Sequence, residues 1–348
     1  MDDTGTLEEA YERLHRTGPE FDGWLTNHGP MAVEAMVRHG YDRDVHRWLD
    51  SYVGRLDELP SSSSPIGAED WREALGDPKR LGDWLTFFDR EVKEQPWRAV
   101  METWWPRLLP GIAAGATHGV IRTGHAVHAL LRQQDEGRLA ELGQALGYWA
   151  ARWQAIAGFD VPSGTAEPER AIAEVPRVPD QSMGINHRLD QLAESAGWGP
   201  SLAALKPAAD AEQARTRLTE LADAATLRYV THAHGSPVML VHSATAPTAV
   251  LRTLPALPAD VWSASLNAAW AASAAVTAAY APTEAAPQDN LPDIPGSAAE
   301  VFDLAVRHGD EHVIKLADTA LDVHHRTDNP DALAAVVRAV SLIKPTSS

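Results

Sequence analysis

The chain has 348 residues, 30 Lys and Arg against 48 Asp and Glu for a formal charge of −18, and no cysteine. A chain of this length buries a large core, and its acidic balance opposes nucleic acid and anionic membranes as partners. The lack of thiols excludes disulfides, thiolate catalysis, iron–sulfur clusters and cysteine-ligated zinc, so any metal is expected in a site of nitrogen and oxygen ligands.

The opening MDDTGTLEEA is acidic and polar where a secretory signal would be basic and then apolar, and a cytoplasmic protein is expected. Residues 7–16 are expected to form a helix capped by Thr6, with Glu9 completing a capping box. A second helix, 30–38, follows Asn27-His28-Gly29 and carries Pro30 in its first turn. A third, 44–59, is broken by Pro60, four serines and Pro65. Helices 71–75 and 81–93 flank the turn Gly76-Asp77-Pro78. Residues 104–110 lead into an expected long central helix, 111–131, with 138–157 returning antiparallel to it. Gly111, Gly115 and Gly119 lie four apart on that central helix, at a cost of roughly 1 kcal/mol each relative to alanine, so a neighbouring helix or a ligand should approach closely there.

Residues 158–182 read as a loop rich in proline, glycine and charge. Further helices are expected at 185–196, 209–228, 248–254, 258–280, 298–321 and 331–343, with a second proline-rich loop at 282–295. The most apolar stretch, 267–280, is mostly alanine and too short to span a bilayer. Only 238–242 hints at a strand, and a run that short is not distinguishable from buried helix. With no internal repeat, the expectation is an all-α fold: one large helical domain over residues 1–345 with long proline-rich connecting loops.

Several signatures of chemistry are missing. Gly197-Trp198-Gly199 is followed by Pro200 and lacks the third glycine of a dinucleotide fingerprint. There is no P-loop, HExxH or GxSxG. A single ExxH, Glu12 to His15, falls short of the two that a ferritin-like di-iron bundle needs.

What remains is histidine at suggestive points. In RHGDEHVIKL, His308, His312 and Lys315 fall at i, i+4 and i+7, which places two imidazoles and an amine on one helical face among Val313, Ile314 and Leu316. Polar groups there need partners. A metal is one answer, and for Lys315 a salt bridge to Asp310, Glu311 or Asp318 is another. A protonated lysine repels a cation, so at a metal Lys315 has to be neutral or converted to a carbamate. His28 in NHGP sits where a side chain points from an element end into a cavity, or simply caps a helix. His118 and His125 are seven apart and share a face with Arg122, with His128 peripheral; core histidines bonded to backbone carbonyls are the alternative. His242 ends the apolar run SPVMLVH, as a ligand or as a satisfied core histidine would. His232 and His234, followed by Gly235-Ser236, read as an exposed turn, and His324-His325 as surface. His15, His39, His46 and His187 have no partner at telling spacing. The tryptophans at 84, 97, 104, 105, 149, 153 and 270 read as core or pocket wall, and Trp104-Trp105-Pro106 is the best candidate to stack on a flat aromatic substrate.

The segments NHGPM, LGDWLTFFDRE, WWPRLLPGIAAGATHGVIRTGHAV, the Val241-His242 pair and HGDEHVIKL together resemble the questin oxidase-like proteins, in this order from about residue 22 to about residue 320. The resemblance implies an oxygen-dependent oxidoreductase that opens anthraquinone-type rings, described for some members as a Baeyer–Villiger-like monooxygenase using NADPH and for others as a histidine-rich non-haem iron dioxygenase. It implies His28, His118, His242 and His312 as ligands of Fe(II), Lys315 as a further carbamate ligand, and His125 and His308 as residues that orient ligands or hold substrate. Arg122 is expected to stabilise a phenolate or enolate, with Trp104 and Trp105 against the ring. The partners implied are a small aromatic substrate and dioxygen. The segment LADTALDVHHRT and Ser243 depart from the family pattern, which bears on substrate identity. A metal hydrolase built on a carbamylated lysine with His232 and His234, and a non-catalytic helical protein that binds an aromatic polyketide, are the competing classes.

Overall fold

A computed structural model describes residues 4–67, 69–158, 161–287, 293, 294 and 296–346. Among them seventeen α-helices and one three-stranded sheet make the chain all-α in class, as expected. Part of the proline-rich stretch 282–295 lies outside the described residues. The chain divides into two compact units, Met1–Ala155 with Arg252–Pro258, and Ile156–Leu251 with Ala259–Ser348. Among the described residues no helix is long and apolar enough to cross a membrane.

In the first unit the helix Glu136–Ala151 is central, packed by Leu81–Glu94, His118–Arg132 and Thr4–His15. Glycines let it sit close: a Cβ on Gly147 would lie 2.9 Å from Leu85 Cδ2. The helix Gly29–Arg38 packs against both Thr4–His15 and His118–Arg132. Its run PMAVEAMV is buried throughout, Glu34 included. Trp71, Trp84, Phe87, Phe88 and Trp104 form an aromatic core, with Trp104 edge-on to Trp71 at 5.3 Å and to Phe88 at 4.9 Å between ring centroids. Edge-to-face contacts of this kind add to plain burial because the positive ring edge meets a negative ring face.

Beside these helices lies a small antiparallel sheet, Thr17–Phe21 between Leu25–Thr26 and Leu56–Glu58, with Phe21 opposite both Leu25 and Leu56. Its hairpin turns through Asp22 and Gly23, both at positive φ (49° and 79°), which leaves Trp24 60 % exposed at the tip. Asp83 fastens the adjoining serine loop: Oδ1 accepts from Ser62 Oγ and from the Ser63 and Ser64 amides at 2.7–2.8 Å, and Oδ2 from Arg80 Nε at 2.5 Å.

In the second unit Ala211–His232 packs against Trp262–Tyr280, Asp331–Leu342 and Pro168–Ala173. The alanine-rich Trp262–Tyr280 is buried all round from Ala268 onward, as a helical stretch without a polar face must be. Ser273 on it donates to the Ser243 carbonyl of the helix Pro237–Thr253 at 2.7 Å. Glu311–Thr327 packs against Ala298–His308 and Asp331–Leu342.

Several expectations are corrected. The first helix starts at Thr4, so Thr6 lies inside it and caps nothing. The third ends at Tyr52, and the chain then runs through a 3-10 turn into the strand Leu56–Glu58. The central helix 111–131 does not exist as such: Trp97–Leu108 ends in a 3-10 turn at Gly111, and a new helix begins at His118. The close approaches at the three glycines are nevertheless real, to Trp153 at Gly111, Tyr148 at Gly115 and Trp149 at Gly119. The run 238–242 is helical. The helix 298–321 is two helices divided at Gly309, whose φ of 81° ends the first.

Candidate metal centre and its surroundings

The first unit brings His28 and His118 together. His28 immediately precedes the helix Gly29–Arg38, where Asn27 Oδ1 accepts from the Gly29 amide at 2.9 Å and the His28 amide donates to Tyr52 Oη at 2.6 Å. A Cβ on Gly29 would meet Leu14 Cδ2 at 2.5 Å, so the motif needs glycine there for space. The imidazoles of His28 and His118 meet edge-on with centroids 4.4 Å apart, and each offers a ligand nitrogen within 4.8 Å of the other's.

His118 opens its helix after an unusual approach. Gly115, Ala116 and Thr117 all have left-handed φ, at 53°, 59° and 72°. For non-glycine L-residues this conformation costs roughly 1–2 kcal/mol each, and a β-branched threonine is a rare occupant. Thr117 Oγ1 is also buried without a hydrogen-bond partner among the described residues. His118 Nδ1 donates to the Gly115 carbonyl. An imidazole whose Nδ1 carries the hydrogen presents its lone pair at Nε2, the arrangement typical of metal-ligating histidine.

Along the same helix, His125 Nδ1 and His128 Nδ1 each lie 2.8 Å from one oxygen of buried Glu34. Burial pushes the Glu34 carboxyl up, but the charge of His128 and the hydrogen bonds from both imidazoles outweigh it and hold the group well below the usual carboxylate range. Arg122 is ion-paired with Glu141, and its Nη1 is buried without a hydrogen-bond partner among the described residues. Its Nε and Nη2 donate to Glu141 Oε1 and Oε2 at 2.6 and 2.8 Å, and His15 Nε2 lies 2.7 Å from Oε2. Trp104 and Trp105 are buried, the core alternative of the sequence reading: Trp104 belongs to the aromatic cluster and Trp105 is edge-on to Trp149 at 5.4 Å.

The second unit brings His242 and His312 together, edge-on at 5.6 Å. His242 Nδ1 donates to the Met239 carbonyl at 3.1 Å, so its lone pair also falls at Nε2. His312 is in the first turn of Glu311–Thr327, capped by Asp310, whose Oδ1 accepts from the His312 amide at 2.8 Å and lies 3.3 Å from Nδ1 of the same residue. Burial raises the Asp310 carboxyl, and bonding and attraction to His312 more than reverse this. One turn on, Lys315 is 0 % exposed, and Nζ has no hydrogen-bond or ion-pair partner among the described residues, so the expected salt bridge is not formed. Burial lowers its amine to about 7, against the opposing pull of Glu311 and Asp310. His308 is not on a face with these two, because Gly309 separates the helices; its Nε2 donates to the Ile343 carbonyl at 3.1 Å.

His234 is exposed and His232 half-buried, as a turn reading requires. The residues missed from sequence are the carboxylates that orient imidazoles, Glu34, Glu141 and Asp310. Glu34 had a signal, a lone acid within PMAVEAMV, because an ionised group inside an apolar helical run needs a partner.

Residues 27–144 match the family model described as Questin oxidase-like, which bears out the resemblance over that span. It includes His28, Glu34, His118, Arg122, His125 and Glu141, while His242, His312 and Lys315 lie outside it. No curated protein matches the chain. The family points to an oxidoreductase of oxygenase type, and the buried histidine and carboxylate groups are compatible with metal binding.

Proposed function

Because residues 27–144 are questin oxidase-like, we propose that the protein is an oxygenase that cleaves a ring carbon–carbon bond of an anthraquinone-type or related aromatic polyketide. In this reading the four histidines that the resemblance implies, His28, His118, His242 and His312, serve as ligands of a divalent metal, Fe(II) by the resemblance. The observation that carries it is the shared state of His118 and His242: both are buried, and both give Nδ1 to a backbone carbonyl and so present Nε2 as a donor. A core histidine needs such a bond only once to be satisfied, whereas here each one has a second imidazole packed against its edge. A thiol-free set of imidazoles suits iron, copper or zinc over magnesium or calcium; zinc has no redox chemistry, and between iron and copper the resemblance favours Fe(II).

A bound metal would supply Lewis acidity and a redox partner for dioxygen. The chain's own contribution is proton handling and exclusion of water. His125, its Nδ1 held on ionised Glu34, offers Nε2 to take the proton of a phenolic substrate, and the carboxylate stabilises the imidazolium formed. Lys315, buried and without a partner among the described residues, is neutral in part of the population near pH 7, the form that either ligates directly or takes up carbon dioxide as a carbamate.

The test is metal content by plasma mass spectrometry on protein purified without chelator or affinity tag, with His118→Ala and His242→Ala alongside and helicity checked by circular dichroism. About one iron per chain, lost in both folded variants, is the expected result. Metal-free wild type, or metal retained in both variants, overturns the reading.

A further inference from the structure

Three consecutive left-handed residues, two of them not glycine, stand immediately before His118. Strain of this kind persists only where the surrounding structure over-determines it. Here the cost is compounded, because Thr117 is β-branched and its hydroxyl is buried without a partner among the described residues. At Gly115 packing requires glycine: a side chain there would run into the Tyr148 phenol.

The hydrogen bonds show what the turn accomplishes. If the helix began in right-handed form at Gly115, the carbonyl of that residue would accept the amide of residue 119. Instead the Gly119 amide donates to the Ala114 carbonyl at 3.2 Å, and the Ile121 amide to that of Thr117 at 3.1 Å. The Gly115 carbonyl is thereby turned away from the helix ladder. It accepts the His118 amide at 3.3 Å and the His118 ring at Nδ1.

We infer that the left-handed turn Gly115-Ala116-Thr117 is a positioning device for His118: it aims the Gly115 carbonyl at Nδ1 and so fixes both the ring's orientation and Nε2 as its donor atom. Ala116 and Thr117 are positioning residues that act through His118. The inference rests on the reading of His118 as a ligand for its purpose, but the tautomer it predicts is a property of the metal-free chain.

The experiment replaces Ala116 and Thr117 together by glycine, which relieves the strain and frees the turn to leave the left-handed region. Three readings are taken: the tautomer of His118 in metal-free protein by nitrogen-15 NMR, assigned with His118→Ala; the melting temperature of metal-free protein; and the affinity for zinc(II) as a redox-silent probe. Wild type is expected to hold His118 as the Nδ1–H form alone. The double-glycine chain is expected to show a mixture of tautomers, zinc affinity weaker by about tenfold or more, and a melting temperature no lower than wild type. An unchanged tautomer in the double-glycine chain overturns the inference, as does a mixture already present in wild type. A wild type that binds no metal while the tautomers behave as expected overturns the proposed function and leaves the positioning role standing.

Discussion

Arg122 and Glu141 lie parallel in the interior of the first unit, joined by two hydrogen bonds of 2.6 and 2.8 Å. The geometry is bidentate and both side chains are almost wholly out of water, at 2 % and 1 % exposure. Breaking such a pair from one side strands a buried charge and costs about 3–5 kcal/mol, whereas replacing both partners by apolar groups of similar volume is often neutral. Urea unfolding should accordingly show Glu141→Leu strongly destabilised and Arg122→Met/Glu141→Leu much closer to wild type. Equal losses in the single and double variants would mean that shape, not charge, holds this place.

Lys315 gives a second test. Its folded value of about 7 lies below the ordinary 10.5, so the unfolded chain binds more protons between the two. Stability of the metal-free protein should therefore rise as pH is raised across that window. Lys315→Met should raise the melting temperature at pH 6.5, on the order of 5 °C, and by less near pH 10, with carbon dioxide excluded. A uniform effect at both pH values would indicate that the amine finds a partner.

Asp83 titrates in the opposite sense. Burial raises its carboxyl, but the Ser64 amide, Arg80, Ser62 and the Ser63 amide together lower it to about 2. A carboxylate depressed in the folded state contributes stability above its unfolded value, which is lost as pH falls through the folded one. Between about pH 4 and pH 2 the wild type should lose stability that Asp83→Asn has already lost, so the two denaturation curves should converge toward acid. Curves that stay parallel would remove Asp83 from the acid response.

Gly119→Ala probes close packing. The added Cβ would stand 2.7 Å from Trp149 Cγ and 2.9 Å from its Cβ, with the ring pinned by its bond to the Gly111 carbonyl at 3.0 Å. Overpacking of a fixed side chain costs typically 1–3 kcal/mol, although alanine has the better helix propensity. A net loss in melting temperature, with tryptophan near-ultraviolet dichroism altered, is expected; a gain would show that Trp149 yields freely.

Helices were readable in the sequence where apolar periodicity ran uninterrupted, as in Leu81–Glu94 and Asp331–Leu342. Errors fell where one residue's backbone conformation overrides the pattern. Gly309 at positive φ cut a helix that side-chain spacing carried straight through, and with it the common face assigned to His308, His312 and Lys315. The turn at 115–117 was hidden for the same reason, since alanine and threonine give no sign of left-handed φ. Asp22-Gly23 carries the residue types of a hairpin turn, but the short strands it joins lack the length that alternation needs. At the candidate site the histidines stood out by type, but Glu34 and Glu141 meet their imidazoles across 91 to 126 positions of chain, and the carbonyl partners of His118 and His242 are backbone groups that leave no side-chain pattern to read.

Trp24 stands apart from the other eleven tryptophans, because it alone is largely open to solvent while the rest are buried or half-buried. A collisional quencher such as iodide therefore addresses chiefly one indole among twelve, and that indole rides on the Asp22-Gly23 hairpin. The small sheet carries its own optical reporter, so its loosening could be followed by fluorescence separately from the melting of the helices.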